Sequence, residues 1–253
     1  MGGVQLVRRH AVAEILIDRP EARNALNQEA MAELDAALAA VAGWDVHAVF
    51  IRGAGDRAFI SGGDLKELES VREEAFALDM ARRMRATLDR IPGLPMPVVA
   101  ILNGHAIGGG AEVAIACDYR VAAADVKIGF TQARLGLMPA WGGIERLVLA
   151  IGRGPALSLL TTGRTIDASE AKAIGLFEEV VPRASFEERV AALAAELAEV
   201  PRGALAGIKR AAEAVQHYSR PELAGQATAD FARAWVDDAH WVAHERALRG
   251  RKR

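Results

Sequence analysis

Cysteine is nearly absent from this chain. Cys117 is the single one in 253 residues, which excludes an intramolecular disulfide and suits a reducing compartment such as the cytoplasm. An excess of charge of one sign is missing too. Lys and Arg number 31 against 33 Asp and Glu, a net charge of −2, so no overall basic field points to nucleic acid. No apolar run is long enough to span a bilayer, and residues 1–10 lack the charged-then-apolar order of a secretory leader. Met1-Gly2-Gly3 opens like a myristoylation signal, but position 6 is Leu6 where Ser or Thr is needed. There is no low-complexity segment and no strict repeat. These absences set the expectation of a cytoplasmic protein with neither a membrane nor a nucleic-acid partner.

What is present is a core-forming composition, 51% hydrophobic and 25% charged. Residues 5–9 and 12–17 read as a hairpin through His10-Ala11. Asn27 is placed to cap a helix whose Met31, Leu34, Leu38 and Val41 recur at helical spacing and which stops near Gly43. Strands are expected at 48–52, 59–61, 98–102, 119–122, 127–130 and 179–181. A short helix follows Asp64. A longer one over 72–91 carries Phe76, Met80, Met84 and Leu88 on one face. Further helices are expected at 144–150, 155–162 and 168–174, and everything after Ser185 reads as helix, divided by Pro201 and Pro221. Strand–strand–helix units followed by an all-helical tail predict an α/β core over 1–198 and a helical region over 199–253.

Two glycine-rich turns carry the chemistry. Val98–Leu102 runs into Asn103-Gly104-His105-Ala106-Ile107-Gly108-Gly109-Gly110-Ala111-Glu112, and Ser61-Gly62-Gly63-Asp64 repeats the strand, turn and helix order. Glycine lets a backbone N–H approach a ligand closely, and the start of a helix leaves N–H groups unpaired. Gly63 and Gly109 could therefore converge on one carbonyl oxygen, each worth about 3–4 kcal/mol in a transition state. Glu112, three residues after Gly109, puts a proton-transfer group beside that hole.

These stretches, in this order, resemble the crotonase (enoyl-CoA hydratase/isomerase) superfamily over nearly the whole chain. The resemblance is carried by Arg19-Pro20 through Asn24-Ala25-Leu26, by Ala58 to Leu65, by Asn103 to Glu112, by Leu135-Gly136-Leu137-Met138-Pro139 with Gly142-Gly143, and by Thr162-Gly163, Ala168 to Leu176 and Val180-Val181-Pro182. It implies a spiral of ββα units with a C-terminal helical region that trimerises, giving a homotrimer or hexamer. It also implies an acyl-CoA thioester whose carbonyl oxygen sits between the N–H groups of Gly63 and Gly109, with coenzyme A as part of the substrate and no separate cofactor. Glu112 matches the family's first catalytic glutamate. Arg23 and Lys66 match positions near the CoA phosphates. Ala25, Leu26, Ala58 and Ile60, with Asp64 and Leu65 beside them, match its pantetheine and adenine pocket.

The match breaks at one place. Hydratases of this family carry a second glutamate where this chain has Gln132, and an amide cannot give or take a proton at neutral pH. The expected function is thus hydratase-like lyase chemistry on an acyl-CoA with Gln132 as the altered catalytic position. Decarboxylation of a short malonyl-type CoA ester is the alternative, isomerisation follows it, and a catalytically weak CoA-ester-binding scaffold is the non-enzymatic one. Gly110-Ala111-Glu112 with Ala116-Cys117-Asp118 and Met138-Pro139-Ala140-Trp141-Gly142-Gly143 is similar to the ethylmalonyl-CoA decarboxylase branch, which implies an acyl pocket bounded by Pro139 and Trp141. Other signals fail. His240 and His244 lie four apart, but nothing completes a metal site, so none is expected. No Rossmann fingerprint or P-loop is formed by the glycines. His105 reads as packing rather than catalysis, and the basic run 249–253 as a solvated tail.

Overall fold

The computed structural model describes residues 3–69 and 71–216, with a further set of positions between 229 and 249. The chain opens with an antiparallel hairpin, β1 (Val4–Arg9) and β2 (Val12–Ile17). A one-turn 3-10 segment, Pro20–Ala22, leads to α1 (Gln28–Val41). The Asn27 side chain accepts from the Ala30 N–H at 3.0 Å, which satisfies one of the donors a helix start leaves open. Met31, Leu34, Leu38 and Val41 are all buried along one face, as their spacing requires.

Three coils of chain then repeat one plan. The first gives β3 (Ala48–Gly53), β4 (Ala58–Ile60), α2 (Leu65–Leu68) and α3 (Glu74–Leu88). The second gives β5 (Val98–Leu102), β6 (His105–Ile107) and α4 (Gly109–Ala116). The third gives β7 (Tyr119–Ala123), β8 (Lys127–Gly129), α5 (Gly143–Ile151) and α6 (Arg153–Thr162). A last coil adds β9 (Ile166–Asp167), α7 (Ala168–Ala173) and β10 (Glu179–Val181). Helices α8 (Phe186–Ala198) and α9 (Arg202–Gln216) follow.

In the three repeating coils the first strand joins a six-stranded sheet ordered β1-β2-β3-β5-β7-β10 and the second a four-stranded sheet ordered β4-β6-β8-β9; the last coil reverses this, β9 joining the four-stranded sheet and β10 the six-stranded one. Among the described residues neighbouring strands pair in parallel except β1 with β2 and β8 with β9, which run antiparallel. All five residues of β5 are buried, the unbroken apolar run expected of a parallel strand covered on both faces. This is the spiral of ββα units with C-terminal helices that the motifs imply.

Four details differ from the sequence expectation. The long helix is shorter, Glu74–Leu88 rather than 72–91, with Met80, Met84 and Leu88 buried and Phe76 half-buried. β6 and β9 were not expected. Each is two or three residues long and exists through its neighbours, β6 lying between β4 and β8. The strand expected over 127–130 ends at Gly129, and the next segment is a 3-10 turn, Thr131–Leu135, that carries Gln132. Pro221, His240 and residues 250–253 lie outside the described residues.

Two buried asparagines tie the coils together at the site's edge. Asn103 Nδ2 donates to the Gly53 and Gly55 carbonyls and its Oδ1 accepts from the Gly53 N–H. Asn24 Nδ2 donates to the carbonyls of Ala54 and Ala58. At the other end of α4, Lys209 of α9 reaches into the core, where its Nζ lies 2.7 Å from Asp118 Oδ2 and donates to the Ile91 and Met96 carbonyls. A buried cation needs such a full set of partners. No helix among the described residues is long and apolar enough to cross a membrane.

Candidate active site

The two glycine turns meet. Leu26 and Gly63 form an isolated parallel bridge in which the Leu26 N–H donates to the Gly62 carbonyl at 2.8 Å and the Asp64 N–H to the Leu26 carbonyl at 2.9 Å. That pattern leaves the Gly63 N–H unused. Gly109 is the first residue of α4, where an N–H has no intrahelical acceptor, and neither N–H has a partner among the described residues. Gly62 adopts φ +109, and a Cβ placed on it would stand 3.5 Å from the Gly109 nitrogen. Two unpaired donors therefore lie on adjoining turns.

Glu112 sits one turn into α4 and is 2% exposed. Its Oε2 accepts from the backbone N–H groups of Trp141 at 2.8 Å and Gly143 at 2.9 Å, and its Oε1 accepts from Gln132 Nε2 at 2.9 Å. Burial pushes the carboxyl up to about 7, against the opposing pull of the Gly143 and Trp141 N–H groups and of Arg146. The same group can then hold or release a proton near neutrality, which is what general acid–base work requires. Gly143 is needed for this approach, since a Cβ there would lie 2.7 Å from Glu112 Cγ.

Trp141 acts twice. Its N–H holds Glu112, and its indole lies on Gly109, where an added Cβ would meet Cζ3 at 2.3 Å. Pro139 is buried just before it. Arg146 of α5 donates from Nη1 to the Trp141 carbonyl at 2.9 Å and from Nη2 to Asp89, so it fixes the loop and adds positive potential near Glu112.

The residues expected around CoA divide by exposure. Arg23 and Lys66 are exposed, Asp64 and Leu65 are half-buried, and Ala25, Leu26, Ala58 and Ile60 are buried. Leu26 and Ile60 have no exposed surface at all, and both the N–H and the carbonyl of Leu26 are taken up by Gly62 and Asp64, so these two residues back the channel rather than line it. Arg23 follows the 3-10 turn in a left-handed conformation, φ 54. Arg19 joins the two segments: Nη2 pairs with Asp64 Oδ2 at 3.1 Å and Nη1 donates to the Ala25 carbonyl. Reading the sequence alone missed Arg19, Asn24 and Arg146 as positioning residues and the Trp141 and Gly143 N–H groups as carboxylate holders. Arg19, Asn24 and Gly143 lay inside quoted motifs. The backbone donors carry no side-chain signal.

His105 is exposed, with Nδ1 accepting from the Lys127 N–H at 3.0 Å. Its imidazole is pulled below the ordinary range by burial and by Lys127. His244 Nε2 is 4.0 Å from Glu69 Oε2, and among the described residues no three His, Cys, Asp or Glu side chains gather as a metal site. A cavity of about 450 Å³ opens at the far end of α4, lined by Cys117, Asp118, Arg146 and Lys209, and Glu112 is not in its wall.

Comparison with known proteins identifies the family. A profile of the family described as enoyl-CoA hydratase/isomerase matches residues 8–234. The short-chain-enoyl-CoA hydratase of Clostridium acetobutylicum is 36% identical over 185 residues, covering 72% of this chain and 69% of that protein. The crotonyl-CoA hydratase of Syntrophomonas wolfei is 36% identical over 177 residues, 70% of this chain and 68% of that one. Among solved structures, an enoyl-CoA hydratase from Bacillus anthracis superposes with a TM-score of 0.80 at 33% identity, covering 92% of this chain and 90% of that one. The chain belongs to the enoyl-CoA hydratase/isomerase family, within the crotonase superfamily.

Proposed function

We propose that this protein hydrates a short 2-enoyl-CoA, stabilising a thioester enolate between Gly63 and Gly109 and moving the proton with Glu112. The observation that carries the reading is the placement of one buried, hydrogen-bonded carboxylate beside two unpaired N–H donors on adjoining turns. Water gives a proton to Glu112 as its oxygen bonds to the β-carbon. The π electrons move onto the thioester oxygen, where the two N–H groups meet the developing charge. Protonated Glu112 then delivers the proton to the α-carbon, and the thioester carbonyl reforms. Carboxylate and acid are one residue in turn, so no second ionising group is required.

The CoA end is assigned to Arg23 and Lys66 for the phosphates, with Ala25, Ala58 and the Asp64–Leu65 turn along the pantetheine and the fully buried Leu26 and Ile60 behind them. A cytoplasmic location and self-association through the C-terminal helices into trimers or hexamers belong to the same proposal; sedimentation of the purified protein measures the latter.

A second reading, decarboxylation of a malonyl-type CoA ester, is favoured by the amide at Gln132, because loss of CO₂ needs the enolate hole and one proton donor only. Incubation with crotonyl-CoA and with methylmalonyl- and ethylmalonyl-CoA separates the two. Turnover of crotonyl-CoA alone supports hydration. Turnover of the malonyl esters alone replaces it with the second reading, and tight binding of CoA esters without turnover leaves a scaffold.

A further inference from the structure

We infer that Gln132 is a positioning residue whose side-chain carbonyl oxygen receives one hydrogen of the attacking water, so that a single carboxylate suffices for hydration. The inference rests on the hydration reading above and names what prepares the water.

Gln132 is held from three sides. It lies on the 3-10 turn Thr131–Leu135, its own carbonyl accepts from the Leu137 N–H at 3.0 Å, and the turn is closed by Gly136. Its side chain is nine-tenths buried. The amide orientation follows from its neighbour: ionised Glu112 can only accept, so the NH₂ end must face it, and Nε2 does so at 2.9 Å. The carbonyl end, Oε1, is then left buried with no partner among the described residues. Buried polar atoms without partners are uncommon, and such an atom at a reaction centre calls for a ligand.

The chemistry of that ligand is narrow. Oε1 of Gln132 only accepts, and Glu112 Oε1 beside it still has room to accept once more, since its Oε2 carries both backbone donors. A species with two hydrogens to give, one to each oxygen, completes both, and water does this while keeping a lone pair for the β-carbon. The hydroxyl of a 3-hydroxyacyl product satisfies Gln132 Oε1 in the reverse direction. A malonyl β-carboxylate has no hydrogen to give and would face two acceptors and a negative charge, which weighs against the decarboxylase reading. The water loses its second hydrogen to Glu112 and keeps the first as the product hydroxyl, so Gln132 never changes protonation.

The test compares two reactions of the same site. Hydration of crotonyl-CoA needs a placed water, whereas exchange of the α-hydrogens of butyryl-CoA in D₂O needs only the enolate hole and Glu112. Gln132→Met keeps length and volume but removes both polar ends; kcat for hydration is expected to fall about a hundredfold, as for other losses of reactant placement, and at least tenfold more than exchange. Gln132→Glu restores an acceptor oxygen, and hydration is expected to recover relative to Gln132→Met. If hydration and exchange fall together in Gln132→Met, or neither falls, the water assignment is overturned while the hydration reading stands. If Gln132→Met does not fold, Gln132→Glu decides: hydration lost with exchange kept overturns the assignment. A wild-type protein that exchanges but does not hydrate removes the hydration reading and this inference with it.

Discussion

The Trp141 N–H donates to Glu112 Oε2 at 2.8 Å while the same residue's indole rests on Gly109. One residue thus joins the Glu112 carboxylate to the turn at Gly109, and Arg146 anchors it from behind through the Trp141 carbonyl. On the proposed reading, the placement of Glu112 and the width of the acyl site both follow from this one loop.

Glu112→Gln should abolish most activity and raise stability. Hydration and α-hydrogen exchange are expected to fall about 10²–10⁴-fold, the usual worth of a positioned acid–base group. The carboxyl is raised by burial from 4.5 to about 7. Between those values the unfolded chain ionises the group and the folded one does not, so the folded state binds more protons and stability falls as pH rises through the window. Thermal melts of both proteins at pH 5 and pH 8 should show the variant's advantage larger at pH 8, by an amount on the order of 3 kcal/mol. An equal advantage at both pH values would argue against the raised carboxyl.

The wild-type pH profile should follow from the same group. Glu112 must be ionised to take a proton from water, and its carboxyl sits at about 7. kcat/KM for crotonyl-CoA is expected to rise with pH through that value and then level, with one ionisation on the acid limb. Steady-state rates from pH 5 to 9 measure this. A profile already flat at pH 5 would mean that another group is the base.

Gly143→Ala probes the close approach on the opposite side. Its Cβ would lie 2.7 Å from Glu112 Cγ and 2.8 Å from Oε2, so either the carboxylate or α5 must move. Activity should drop about a hundredfold from misplacement alone. Gly154→Ala, where a Cβ meets nothing within 4 Å, is the control and should leave kcat unaltered.

The sequence made the frame legible wherever the cause was local. Asn27 and the stripe from Met31 to Val41 announced α1 because a cap and a 3.6-residue period are properties of one segment. β6 could not be read, because His105–Ile107 is a strand only by pairing with β4 and β8. The site shows the same division. Gly63, Gly109 and Glu112 were visible as residue types in suitable turns. Asn103, whose side chain closes onto Gly53 and Gly55 some 50 positions away, and the N–H groups that hold Glu112 act through the backbone of distant coils.

Arg19→Ala should separate binding from chemistry. The guanidinium spans Asp64 and the Ala25 carbonyl, the two edges assigned to the CoA channel, and is not among the hydrogen-bond partners of Glu112. KM for crotonyl-CoA is expected to rise roughly tenfold with kcat within about threefold, the pattern of lost uniform binding. A kcat loss with unchanged KM would place Arg19 in the catalytic step instead.

Trp141→Ala removes the indole from Gly109 but keeps the N–H that holds Glu112, so pocket width and carboxylate placement change independently. The indole is 5% exposed, and truncating a buried aromatic costs about 3–5 kcal/mol of stability, so the melting temperature should fall. If the indole bounds the acyl site, the variant should gain on longer chains relative to crotonyl-CoA. The ratio of kcat/KM for 2-hexenoyl-CoA over crotonyl-CoA is expected to rise about tenfold, since one or two methylenes in an apolar pocket are worth about that much. Trp141→Phe, which keeps an aromatic ring over Gly109, should sit between wild type and alanine on the same ratio. A ratio unchanged across the three proteins would mean that the acyl chain leaves the site by another wall and that Trp141 serves only to hold Glu112.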